Sequence, residues 1–458
     1  MSAVRALLQR KPSTLRVLSA SGQLGYGIPS KALTAGLARK PDFIGCDMGS
    51  VDPGPAYLGS GEMATSPAIT RSDLEAVLVA ARRLNVPLII GSAGTAGAGP
   101  HLDATLEMIR SIAAEHQLHF RLASIRADLK AERVIQALDA GLLNALGGEL
   151  PVTAADLIAS AHIVGQMGCA PFEQALALDP DVIIAGRACD TAIFAAIPKV
   201  LGFNMANVMH MAKIIECTSI CCEPGGRDAM LATLDAQGFE LESMNPERKA
   251  TPLSVAAHSL YEQADPVRFT EPDGTLCVDQ AVYRALDERR THVSGASWLE
   301  AEQTTIKVEA SQFIGHRAVL LAGTADPKVI TQLPALLKIV ETTTRGLVQG
   351  TYEIYPRLYG IDGVYPPQTS HYSSVPREVF ILVEVIAATP ELALAATKTF
   401  KQFLLHQGFS GRKCTGGNLA FPFTPPELAA GPAYRFSAYH VMPAPDHREL
   451  FPVSIETL

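Results

Sequence analysis

The chain has 458 residues, 48% of them hydrophobic and 18% charged, enough to bury a sizeable core. At roughly 100–200 residues per domain it should form two or three domains. Its formal net charge of −8 argues against a nucleic-acid partner, and no apolar stretch of about 18 uninterrupted residues marks a membrane span.

Residues 15–20 read as a first strand, a glycine-rich turn follows at 21–27, and a helix begins near Ser30. Residues 43–47 make a short apolar second strand between turn residues. A helix fits 72–84, with Ser72 as N-cap and Glu75 completing a capping box. Residues 86–92 are the third strand, 102–116 a long helix, 119–125 a fourth strand and 131–140 another helix; 163–168 and 182–187 are later strands. Strands spaced by helices at this interval predict an α/β fold with a doubly wound, mostly parallel sheet through about Gly202. Residues 206–222 carry a helical pattern, and 223–295 are polar and turn-rich, so 203–303 should be a helical and irregular connection. From 304 to 458 the pattern is that of an α+β domain: strands at 306–310, 317–323 and 378–387, a helix at 391–406, and a last strand at 436–442.

In open α/β sheets ligands sit outside the carboxyl ends of the strands, and four loops there carry chemistry. The most informative follows the second strand: Asp47, Ser50 and Asp52 in a segment constrained by Pro53, Gly54 and Pro55. Paired carboxylates can split their pKa values into an acid and a base, or hold a divalent cation such as Mg²⁺. Plain loop stabilisation is the alternative. The loop with Ser21, Gly22 and Gly25 offers backbone N–H groups to an anion, although its spacing is neither a dinucleotide fingerprint nor a P-loop. After the third strand come Ser92 and Gly94, small enough for a ligand to approach, and His101 just before a helix, a candidate acid or base. Arg187 ends a later strand and suits a substrate carboxylate; Asp190 is a helix cap or a ligand contact, and Cys189 a weaker nucleophile candidate. Further on, His258 and Glu262 stand four apart beside Tyr261, and Arg412 and Lys413 form a late basic turn.

The N-terminal stretch 1–16 is mixed and mildly basic, without the apolar centre of a secretory signal, so the cytoplasm is the expected location. Eight cysteines include no C-x-x-C pair, and their only cluster, 217–222, has no histidine at zinc-finger spacing. Reduced thiols are expected.

The strings DMGSVDPGPAYLGSG (47–61), PLIIGSAGTAG (87–97), IIAGRACDTAIFAAIP (183–198), SVAAHSLYE (254–262) and NLAFPF (418–423) resemble the acyclic terpene utilisation protein A (AtuA) family in order along the chain. The resemblance implies a role beside enzymes that break down branched terpenoid acids and acyl-CoA compounds, in some members with a small separate partner subunit. It assigns no catalytic residue. Several acid/base candidates without a nucleophile triad or a redox-cofactor fingerprint favour a lyase or hydratase acting on a small branched or unsaturated carboxylate or its acyl thioester. Asp47, Asp52, His101 and His258 would be the catalytic candidates, with Ser21, Gly22, Gly25, Ser50, Ser92, Gly94, Arg187 and Asp190 binding substrate. A metal-dependent hydrolase at the same carboxylates and a non-catalytic binding or scaffold subunit are the rival readings. A homo-oligomer is the expected assembly.

Overall fold

The computed structural model describes residues 1–147, 151–260, 265–364, 375–412, 416–445 and 447–458. The chain forms two compact units, Met1–Gln312 with Phe436–Leu458, and Phe313–Arg435. The divisions expected at 202/203 and 303/304 both fall inside the first.

After α1 (Ala3–Arg10), the first unit runs β1 (Leu15–Ser21), α2 (Ser30–Ala38), β2 (Phe43–Asp47), α3 (Pro55–Ser60), α4 (Pro67–Leu84), β3 (Leu88–Gly91), α5 (Gly99–Glu115), β4 (Arg121–Ile125), α6 (Ala131–Asp139), β5 (Asn144–Ala145), α7 (Ala154–Ile158), β6 (Ser160–Gln166), α8 (Cys169–Leu176), β7 (Val182–Ala185), α9 (Asp190–Leu201) and α10 (Met205–Ile215). Strands β1, β2, β3, β7 and β4 lie side by side in that order, all parallel. Successive side chains on a strand point to opposite faces. Val17, Phe43, Ile89 and Ile183 therefore join a core with Phe172, Phe194 and Met211 of α8, α9 and α10. Leu18, Ile44, Ile90 and Ile184 join a second core with Val77 of α4 and Ile109 of α5. Burial on both faces is why these strands read as unbroken apolar runs.

The sheet as a whole is mixed rather than mostly parallel. The segment read as irregular contains β8 (Met230–Leu234), β9 (Phe239–Ser243), α11 (Pro252–Ser259), β10 (Arg268–Glu271), β11 (Gly274–Cys277), β12 (Val282–Ala285), β13 (Arg290–Ser294) and β14 (Ser297–Glu300). Of these, β8 pairs antiparallel with β1, and β9, β13 and β12 extend the sheet outward. Strands β10, β11 and β14 form a small antiparallel sheet of their own. At four or five residues each, between turn signals, these strands are too short to show a period.

Strand β15 (Thr305–Thr324) leads from the first unit into the second; its first part, Lys307 to Gln312, pairs antiparallel with β6. That pairing takes β6 out of the parallel sheet in which it was expected. The second unit has α12 (Pro327–Leu347), β16 (Tyr352–Tyr359), β17 (Val379–Ala387) and α13 (Pro390–His406). There β17 lies antiparallel between β16 and the latter part of β15, and Leu333, Val340, Phe400 and Leu404 of the helices share a core with Leu320, Ile381 and Val383. The chain returns through β18 (Glu427–Pro443) to α14 (His447–Leu450) and β19 (Val453–Thr457), which borders β4 antiparallel. No described helix is long and apolar enough to cross a membrane.

Two helices start earlier than expected. Both α4 and α5 carry proline in the first turn, Pro67 and Pro100, whose fixed φ suits that position. Ser72 is therefore inside α4, and Glu75 pairs with Arg71 and His116 rather than closing a capping box.

Strand β2 touches α9 so closely at Gly45 that a Cβ there would lie 2.4 Å from the Phe194 ring. Gly45→Ala should destabilise the fold by about 1–3 kcal/mol through overpacking, read as a lower urea midpoint. Phe194→Leu in the same chain should restore part of that loss.

Candidate active site

Neighbouring strands β3 and β7 send the chain to opposite faces of the sheet. After β3 it enters α5, which packs on one core; after β7 it enters α9, which packs on the other. A crevice for ligands forms where adjacent connections diverge in this way. Ser92 lies just past β3 and Arg187 just past β7. Their backbones are knitted together: Ser92 N–H donates to Gly186 O at 3.0 Å and Arg187 N–H to Gly97 O at 3.1 Å. Gly97, at φ +67°, permits this approach, since a Cβ would sit 2.1 Å from the Arg187 nitrogen.

Arg187 is only 3% exposed, and four hydrogen bonds within the chain engage most of its guanidinium fork. Nε and Nη2 donate to the two oxygens of Glu309 at 2.8 and 3.3 Å, while Nη1 reaches Gly49 O at 3.3 Å and Ser92 Oγ at 3.2 Å. Lys307 Nζ pairs with the same carboxylate at 2.7 Å. Burial works against the Arg187 charge, but Glu309, Asp190 and Asp47 outweigh it and hold the guanidinium ionised. Burial also opposes the Glu309 charge, and the two cations overcome it, keeping that carboxyl below its usual range. The substrate anchor expected at Arg187 is thus a strut tying the ends of β2, β3 and β7 to β15. Fully buried Ser92, at φ +51°, is part of that strut. Its Oγ also exchanges hydrogen bonds with the backbone of Ala188.

Around the strut lies a group of carboxyls that act electrostatically on one another. Asp47 ends β2, Asp190 begins α9, Glu216 follows α10 and Glu271 ends β10. Burial pushes Asp47 well up, with Asp190 and Glu216 adding to it and Arg187 opposing. Asp190 is raised by burial against the pull of Arg187, Lys213 and Lys307. Burial lifts Glu216 to about 8 despite Lys213 Nζ at 2.5 Å. Glu271 rises to about 7, burial outweighing the hydrogen bond from Thr191 Oγ1 at 2.8 Å and the charge of Lys213. Asp47 Oδ1, Asp190 Oδ1 and Glu216 Oε2 are buried and have no hydrogen-bond partner in the chain. Orphaned buried acceptors are costly and uncommon, and they suit a site that receives its partner from a ligand.

The remaining expectations fare unevenly. Asp52 is exposed in a local turn, its N–H donating to Ser50 Oγ at 3.2 Å, and its charge reaches Asp190. Among the described residues no three His, Cys, Asp or Glu side chains gather to hold a metal ion. Asp47 is buried and Asp52 faces solvent, so they do not form the expected pair of cation ligands. The glycine loop is not an open anion cradle. Asp73 of α4 accepts the N–H groups of Gly25, Gly27 and Ile28 at 2.8, 3.0 and 2.9 Å, while Ser21 Oγ accepts from Gln23. Gly22 instead lets β1 back onto the Glu216 carbonyl, which a Cβ would approach to 2.7 Å. Gly94, at φ +64°, packs against His101.

His101 lies in the first turn of α5, wholly buried, with Nε2 3.0 Å from Glu62 O. Burial lowers its pKa, and the side-chain charges beside it are His162 and Asp128, not the carboxyl group around Asp47. His258, on α11, does border that group: burial first and Lys213 second pull it to about 4, so it is neutral at pH 7. Tyr261, Glu262, Lys413 and Cys414 lie outside the described residues. Burial, then Glu271 and Asp190, pushes the Cys189 thiol up, the opposite of an activated nucleophile. Sequence reasoning missed Lys213, Glu271, Lys307 and Glu309. Only Lys213 left a signal, as the one Lys, Arg, Asp or Glu of α10, three residues before Glu216.

A family model described as acyclic terpene utilisation family protein AtuA matches residues 68–424. No curated protein matches the chain, and no solved structure does.

Two measurements check this arrangement. Glu309→Gln strands the buried Arg187 charge and should cost about 3–5 kcal/mol in urea unfolding. The folded protein holds the Glu216 proton more tightly than the unfolded chain, so that stabilisation is complete below about 4.5 and lost as pH rises through about 8. Glu216→Gln should remove a fall of the order of 2–4 kcal/mol across that window, followed as melting temperature against pH.

Proposed function

Since the chain belongs to the acyclic terpene utilisation family AtuA, we propose that it adds water to, or removes it from, a small branched or unsaturated acid or its acyl thioester. The observation that carries this reading is the cluster of carboxyls of Asp47, Asp190, Glu216 and Glu271, in which three buried oxygens lack a partner in the chain. Water addition next to a carbonyl needs a base to take a proton from water, an acid to protonate the α-carbon and a donor to stabilise charge on the carbonyl oxygen. Carboxyls in environments that spread their pKa values supply such roles from one residue type.

Glu216, raised to about 8, is protonated at neutral pH and acts as the acid. Glu271, at about 7, is near the balance a general base needs, and Thr191 orients it. Asp47, whose proton affinity burial raises, donates to the carbonyl oxygen. Lys213 holds Glu216 in place, and Arg187 holds the strand ends that carry Asp47 and Asp190. Asp52 and His101 take no step here, and His258 shapes the wall beside Lys213.

The test is turnover of a panel of branched α,β-unsaturated acids and acyl thioesters by the purified chain, alone and with any small partner subunit. Glu216→Gln, Glu271→Gln and Asp47→Asn should each lower kcat by about two orders of magnitude while leaving the protein folded. Asp52→Asn should change it only a few-fold. Absence of turnover across the panel would end the lyase reading. Loss of turnover on adding a chelator would point to a metal-bound water instead.

A further inference from the structure

At the amino ends of the parallel strands, away from the carboxyls described above, the first unit holds a cavity of about 330 Å³, a size that suits a small molecule. One wall is a single face of α1. Ala3, Ala6, Leu7 and Arg10 stand three or four apart, so they line up along the helix with the cation at its last residue. The rest of the lining comes from the starts of three adjacent strands: Arg16 belongs to β1, Lys40, Pro41 and Asp42 precede β2, and Leu84, Val86 and Pro87 precede β3. Neighbouring strands lie about 4.8 Å apart, so the crossing from β1 to β3 spans about 10 Å. The cavity is therefore polarised across the sheet. Its cations gather below β1 and β2, and the lining below β3 is apolar apart from the Asn85 amide.

Three cations stand there against one carboxylate, a local excess in a chain whose net charge is −8. Asp42 is spent on the chain itself, accepting from Arg10 Nη2 and, at 2.6 Å, from the Arg16 N–H. Arg16 gives Nη1 to Arg39 O at 2.9 Å, and among the described residues Lys40 Nζ has no partner. An inorganic anion would use these cations and leave the apolar wall wet, while a neutral hydrocarbon would do the reverse. We infer that this cavity is a second binding site of the protein and takes an aliphatic monocarboxylate. The carboxylate pairs with Lys40 and Arg16, and the chain lies along Ala6 and Leu7 toward Val86. The candidate active site is at the opposite ends of the same strands, so both can be filled at once. This inference stands apart from the lyase reading.

Calorimetric titration of the full chain with butyrate, hexanoate and octanoate tests it. Each step of two methylenes should tighten binding about tenfold as more chain is buried. Octylamine has the same chain and the opposite charge, and inorganic phosphate has the charge without the chain. Each should bind at least about tenfold more weakly than octanoate. Lys40→Gln, at an exposed residue, should weaken octanoate about tenfold without moving the urea midpoint. Leu84→Asp, which sets a charge at the apolar end, should weaken it by a similar factor. Affinity independent of chain length overturns the inference, as does octylamine or phosphate that binds as tightly as octanoate. So does octanoate binding that either variant leaves unchanged, or no binding of octanoate at all.

Discussion

The buried ion pair between Arg187 and Glu309 is the constraint on which the site depends. Arg187 leaves the end of β7, and Glu309 reaches in from β15, 122 residues further along the chain. Through the same guanidinium the loop after β2 is fixed at Gly49 and the loop after β3 at Ser92. Pairs of this kind cost desolvation and are seldom stability devices in themselves. Here the pair has both oxygens of the carboxylate and most of the guanidinium fork satisfied, with Lys307 as a second cation. Its effect is positional, setting strand ends against each other.

That rigidity gives the carboxyl group its chemistry. A carboxylate free to move would hydrate, and its pKa would stay near the value of the isolated side chain. Asp47 and Glu216 are each 5% exposed and cannot do so. Burial is the first cause of every raised carboxyl in the group, and mutual repulsion comes after it. The result is a set of carboxyls with raised proton affinity, Glu271 reaching about 7 and Glu216 about 8, held at a cost in folding free energy that the surrounding core must offset.

Much of this was legible in the residues. The parallel strands announced themselves because burial on both faces demands continuous apolar runs, and the loops after them carried Asp47, Ser92 and Arg187. Other parts had no local signal. Strands β8, β9, β12 and β13 are short and stand among turn residues, and only pairing with β1 and with one another organises them. The alternation of Lys307 and Glu309 with apolar neighbours reads as a solvated face, yet Glu309 is fully buried, because that face of β15 meets the site rather than water. The glycine loop looked open because a sequence does not show that Asp73, some 45 residues on, claims its amides.

The sequence by itself determined the α/β alternation, the family, and the identity of the polar loops where strands finish, since these follow from period, turn chemistry and matched strings along the chain. Tertiary structure alone decided which polar groups are free to act. Whether an arginine is an anchor or a strut, and whether an aspartate is an ordinary carboxylate or a stored proton, depends on the burial and the partners supplied by residues a hundred positions away. Local sequence carries no record of either.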